Sequence, residues 1–197
     1  GRIKLLKIYD YISIKHDHML IKLNNKYMIV LNDPRKFGFI DYSITSELKN
    51  KKYFLKLGLD PFEKKLNKSY LLNKFKNSKS SIKQLLLSQK IISGIGNIYA
   101  CEILYDAKIS PFMFGSQLNV HSIERLITSM RRILNKAIVS GGSTIRNYVS
   151  VDGTLGNFQT KFKVYNRKDE KISNFRIRRI KQCGRSTFYC PDVQKSK

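Results

Sequence analysis

Apolar residues recur along this chain with two different periods, and the periods divide it into regions. From Ser122 to Ser140, Ile123, Leu126, Ile127, Met130, Ile133, Leu134, Ala137 and Ile138 follow an i, i+3, i+4, i+7 rule. That spacing predicts one amphipathic helix whose stripe faces a core. An earlier helical pattern begins at Ser80 or Ser81, either of which can cap, and continues through Ile82, Leu85, Leu86, Ile91 and Ile92. Ser93-Gly94-Ile95-Gly96-Asn97 interrupts it, because glycine permits backbone angles that other residues resist. A further helix starts near Asn97 and carries Ile98, Cys101, Ile103 and Leu104. The stretch Ser80 to Glu102 therefore reads as two helices joined by a glycine-flanked turn. Such a turn presents backbone N–H groups and the positive end of a helix dipole, which suits a phosphate. An ordinary helical hairpin in an all-helical core gives the same pattern.

The first 50 residues read as β instead. His18-Met19-Leu20-Ile21-Lys22-Leu23 and Tyr27-Met28-Ile29-Val30-Leu31 flank Asn24-Asn25-Lys26, a short polar turn suited to a hairpin. Asp33-Pro34 turns the chain, and aromatic and β-branched residues from Phe37 to Tyr42 predict another strand. Between the β region and the helical hairpin, Ser46 to Leu57 predicts a basic helix ending at Gly58. Ser69 is placed as the cap of another helix running through Lys76, and Pro111 ends a later one. Gly141-Gly142-Ser143-Thr144 repeats the pattern of glycines before a hydroxyl cap. Asp152-Gly153 through Gly156-Asn157 predicts a short polar loop. In the tail, Arg176, Arg178, Arg179 and Lys181 alternate with Ile177 and Ile180, as on a strand docked on one side and basic on the other.

Composition sharpens the picture. Hydrophobic content of 42% belongs to a globular chain, and 38 basic against 14 acidic residues give a net charge of +24. A charge of that size suits a polyanionic partner, although the richness in Lys, Ile, Asn and Tyr also fits AT-rich coding. No apolar run approaches 18 residues and no signal-peptide pattern opens the sequence, which disfavours a membrane as the polyanion. Three cysteines without a framework spacing point to a reducing, cytoplasmic compartment. Gly1 is not a Met, so a processed, trimmed or partial chain is expected.

Four stretches in order carry a resemblance: His16-Asp17-His18, Asp33-Pro34-Arg35-Lys36-Phe37-Gly38, Gly94-Ile95-Gly96-Asn97 through Pro111, and the tail from Val164-Tyr165 to Gly184-Arg185-Ser186-Thr187-Phe188-Tyr189-Cys190-Pro191. Together they resemble the formamidopyrimidine-DNA glycosylase family, nearly from end to end. The resemblance implies an α+β fold in three parts. Residues 1–50 would be the C-terminal part of a β-sandwich, 51–150 a helix–two-turns–helix domain, and 151–197 a linker loop and β-hairpin finger.

It also implies roles. His16, Lys83, Asn97 and Arg185 would hold DNA phosphates, Arg185 aiding elimination as well, while Arg35 and Phe37 would enter the duplex. The Gly153 loop would lie over a flipped base. The family's Pro-Glu nucleophile does not match Gly1-Arg2 and is expected upstream, so a non-catalytic damaged-DNA-binding remnant stands as the alternative. A structural RNA-binding protein is a weaker one. The expected partner is double-stranded damaged DNA, bound by a monomer associated with the nucleoid. The family's zinc finger has four thiolates, but the corresponding residues here are Ile172, Phe175, Cys190 and Val193, so neither zinc nor any other cofactor is expected. His16 and His18, two apart, are a weak metal pair for want of a third ligand.

Overall fold

The computed structural model describes residues 1–143 and 156–195, which form a mixed helix-and-sheet protein in two compact units. The first comprises Gly1–Thr45 and Ala137–Lys161, and the second Ser46–Lys136 and Phe162–Lys197. This division differs from the three segments expected from sequence, because the finger packs with the helical domain as one unit.

The first unit is built on an antiparallel sheet in the order β1-β3-β2, with β1 Arg2–Lys7, β2 Asp17–Lys22 and β3 Tyr27–Asn32. The β2–β3 turn is set by Asn24, whose Oδ1 accepts the Lys26 and Tyr27 N–H groups at 2.8 and 2.9 Å. On central β3, Met28 and Val30 are buried on one face while Tyr27, Ile29 and Leu31 alternate to the other. The strand expected from Phe37 to Tyr42 does not form. Its side chains Phe37, Phe39, Ile40 and Tyr42 are 58–94% exposed. Strand preference reflects fit to a half-buried pleated surface, and no such surface receives these residues.

The second unit holds the helices α1 Lys52–Leu55, α2 Lys68–Phe75, α3 Ile82–Leu87, α4 Asn97–Asp106 and most of α5 Val120–Val139. The basic helix expected over Ser46–Leu57 is instead a 3-10 turn, Thr45–Asn50, followed by the single turn of α1, with no buried residue in either to anchor it. Asn67, not Ser69, caps α2, accepting the Tyr70 N–H at 3.0 Å. Ser81 forms a full capping box with Gln84. Yet α3 stops at Leu87, short of Ile91 and Ile92. Gly58 explains the stop: its N–H donates to the Gln89 carbonyl at 2.7 Å, and a Cβ there would come within 2.2 Å of the Ile91 carbonyl carbon. The chain after α3 is thus pulled out of helical register by the linker strand, and Ile92 is buried by that contact.

Asn119 accepts the Ser122 N–H and starts α5 two residues earlier than its periodicity suggests. Ile123, Leu126, Met130, Ile133 and Ala137 are buried as expected, whereas Ile138 is 65% exposed. The finger closes the unit with two small antiparallel pairs, β4 Lys171–Ile172 with β5 Phe175–Arg176, and β6 Arg178–Gln182 with β7 Arg185–Tyr189. Val164, Ile177 and Phe188 join Cys101 of α4 in a buried cluster, with Ile172, Tyr105 and Tyr165 packed around it. Among the described residues no helix is long and apolar enough to cross a membrane.

Candidate nucleic-acid interface

In the first unit, the loop from Asp33 to Gly38 is braced from within. The Asp33 side chain is buried, and its Oδ2 accepts the Gly38 N–H at 2.7 Å. Its backbone carbonyl accepts from Lys36 N–H at 3.2 Å and from His18 Nε2–H at 3.0 Å, while its own N–H donates to the His16 carbonyl. The Gly1 ammonium also lies 3.2 Å from Asp33 Oδ1. The brace presents Phe37 outward, 79% exposed, with the Arg35 guanidinium carbon 5.3 Å from its ring centroid. A cation stacked beside a solvent-facing aromatic costs hydration without gaining a core, and it forms a flat, charged face that a nucleobase can stack on.

Both histidines brace this loop, His18 through its ring and His16 through its carbonyl. His16 sits at φ 77°, just before β2, and a register shift falls between Asp17 and Met19, so the two histidines do not alternate as on a regular strand. Their ring centroids are 6.2 Å apart.

The hydrogen bond from Gly38 chiefly holds the Asp33 carboxyl below its ordinary value, with help from the ammonium. A depressed carboxyl stabilises above its unfolded-state pKa, about 3.9, and that contribution is lost as pH falls through the lower folded value. A Phe37→Trp reporter should therefore show a rigid loop at neutral pH and a mobile one only in acid. With Asp33→Ala added, its anisotropy should be low at every pH.

In the second unit, Lys83, Asn97 and the fingertip come together. The Lys83 side chain, 1% exposed, donates to the Ser186 carbonyl at 3.1 Å and to Thr187 Oγ1 at 2.6 Å. Asn97 Nδ2 donates to the same Ser186 carbonyl at 2.9 Å. Lys83 and Asn97, the two helix residues expected at phosphates, thus both meet the finger backbone at Ser186. Burial, with the Arg185 guanidinium adding to it, pushes the Lys83 ammonium below its ordinary pKa, opposed by the thiols of Cys101 and Cys183.

Arg185 is an exposed cation beside this junction. Gly96 gives α4 no side-chain cap, and the positive end of that ten-residue helix favours an anion. Arg185 is exposed at the fingertip beside a two-residue turn, Cys183-Gly184, with φ of 50° and 75°. Positive φ at both central positions is the turn chemistry that matches strand twist in a tight hairpin. Cys183 is therefore a turn residue. Arg178, Arg179 and Lys181 are exposed along the same hairpin, with Arg176 exposed on the preceding β5, and Arg179 also donates to Ser186 Oγ at 3.1 Å.

The four positions that the family uses for zinc do not fit a metal. Ile172, Phe175 and Val193 carry no donor atoms, and Cys190 is buried with its N–H donated to Gln194 Oε1 at 2.8 Å. Ile172 packs on the finger core, whereas Phe175 is 44% exposed. The Gly153 loop lies outside the described residues.

These features define a helical-hairpin domain with a β-hairpin finger whose exposed basic residues suit a polyanion such as DNA. Residues 57–149 match the formamidopyrimidine-DNA glycosylase H2TH domain. A formamidopyrimidine-DNA glycosylase of Zymomonas mobilis is 43% identical over 182 residues, covering 92% of this chain and 67% of the relative. The solved complex of Lactococcus lactis Fpg with abasic-site DNA superposes with a TM-score of 0.88 at 37% identity, covering 98% of this chain and 71% of that one. The wild-type L. lactis enzyme bound to DNA containing N7-benzyl-Fapy-dG gives 0.88 at 36% identity over the same shares. This chain belongs to the formamidopyrimidine-DNA glycosylase family, a family of DNA-repair glycosylases.

Proposed function

We propose that this chain recognises oxidised purines, 8-oxoguanine and formamidopyrimidines, in duplex DNA for a glycosylase and β,δ-eliminating AP lyase. The observation that carries the reading is the braced Arg35–Phe37 pair, exposed on a loop that has no packing reason to hold it out. Phe37 would wedge the base step from which the damaged base is flipped, and Arg35 would hold the orphaned partner. Arg185, the α4 N-terminus and the finger's basic strand would take the phosphates, with His16 contributing from the first unit. Arg185 would also donate a proton in the second elimination. The amine nucleophile of the reaction is assigned to no residue of this sequence.

A panel of duplexes tests the lesion preference. Those carrying 8-oxoguanine or formamidopyrimidine should compete for binding better than one carrying an oxidised pyrimidine. Equal competition by all three would overturn the purine assignment.

The finger should need no metal. Purified chain is expected to contain no stoichiometric zinc by elemental analysis, because three of the four positions have nothing to ligate with. One zinc per chain, lost on Cys190→Ser, would contradict this.

A further inference from the structure

The finger is fastened to the helices at its start, its end and its tip, each time by a side chain. At the start, the Glu102 carboxylate of α4, 1% exposed, accepts the N–H groups of Lys163, Val164 and Tyr165 at 2.8, 2.9 and 2.8 Å. At the end, Gln194 bridges from the Cys190 N–H to the Ile109 carbonyl, 2.8 and 2.9 Å away. The tip is the least expected of the three. There Lys83 reaches the Ser186 carbonyl and Thr187 Oγ1, and Thr187 in turn donates to Gln182 Oε1 at 3.1 Å. The Gln182 amide donates to Ser81 Oγ at 2.9 Å and to the Pro111 carbonyl at 3.1 Å.

Gln182 and Arg185 are register partners across the tip, so these bonds hold the residue opposite the arginine and the two that follow it. The titratable groups acting on the Lys83 ammonium are Cys101 of α4, Cys183 of the turn and Arg185 itself, and none is a carboxylate. A buried ammonium held by neutral oxygens and facing another cation is expensive to keep for stability alone. Its return is in geometry.

We propose that Lys83 and Thr187 are positioning residues for Arg185. With Gln182 they register the fingertip on the helical domain in place of a metal and hold the guanidinium where a DNA phosphate meets it. The second half rests on the phosphate role given to Arg185 above.

Cys183 offers a readout that needs no DNA, being exposed at the tip while Cys101 and Cys190 are buried. A nitroxide on Cys183 should be immobilised in the otherwise unaltered chain, before and after treatment with a chelator. Lys83→Met and Thr187→Val should each free it, and Thr187→Ser, which keeps the hydroxyl, should not. Thr187→Val removes only that hydroxyl and serves where Lys83→Met does not fold. On abasic-site duplex, Thr187→Val and Lys83→Met should weaken binding about tenfold, the size of one hydrogen bond to a charged group. Neither should weaken it further in an Arg185→Ala background. An immobile label in both variants, or a label freed by the chelator, would overturn the fastening. Equal losses with and without Arg185 would overturn the positioning role. A chain that holds its label but binds no DNA would sink the phosphate reading and leave the fastening in place.

Discussion

Replacing Glu102 by alanine is expected to release the finger at a cost on the order of 4 kcal/mol. The carboxylate is buried and accepts three consecutive backbone N–H groups where the chain leaves for the finger. Each hydrogen bond to a charged acceptor contributes roughly 1.5–3 kcal/mol net, and relief of the carboxylate's own desolvation returns part of the sum. Alanine leaves three donors at a turn that no other described side chain satisfies. Glu102→Gln keeps the shape and one acceptor oxygen, so its cost should be about half. Urea unfolding monitored on the whole chain measures both. A Glu102→Ala loss below about 1 kcal/mol would mean that water replaces the carboxylate and that the bridge does not hold the finger.

The second large effect belongs to the wedge. Phe37→Ala should weaken binding to abasic-site duplex by about 1–3 kcal/mol, the range for one aromatic stacked on a base, while undamaged duplex is bound almost as before. Arg35→Ala should show the same selectivity, since its guanidinium lies against the Phe37 ring. Folding stability should not move, because a side chain 79% exposed has little burial to lose. Equal losses on damaged and undamaged duplex would reduce the pair to ordinary surface.

Much of this was legible in the sequence, and the exceptions share a cause. Periodicity found α5 and α4, and the hydroxyl before Ile82 found the start of α3. The short polar run at Asn24 found the β2–β3 hairpin. These are local signals. The failures were tertiary: α3 ends early because Gly58, thirty residues away, packs on Ile91, and Phe37–Tyr42 stays out of the sheet for lack of a covering surface.

The site divided in the same way. Arg35 and Phe37, paired by the resemblance, stand together on one loop, and Arg185 is exposed at the tip. For Lys83 and Asn97 the resemblance implies phosphate contacts, and the structure adds a tie to the finger. Their partners, Ser186 and Thr187, lie about ninety to one hundred residues on, where no spacing rule reaches. Glu102 did leave a trace, a lone acid inside the apolar run Ala100-Cys101-Glu102-Ile103-Leu104, and a buried acid must find donors. Gln182 and Gln194 left none.

The account as a whole requires that this polypeptide bind damaged duplex, with charge supplying attraction and the wedge supplying selectivity. The most direct measurement is affinity for abasic-site and intact duplexes of the same sequence across a salt series. Both affinities should fall steeply and in parallel with salt, as release of counterions by a chain of charge +24 demands. The abasic duplex should stay tighter by a constant factor, because stacking is insensitive to salt. Identical affinities at every salt concentration would contradict the account, leaving a basic surface without recognition.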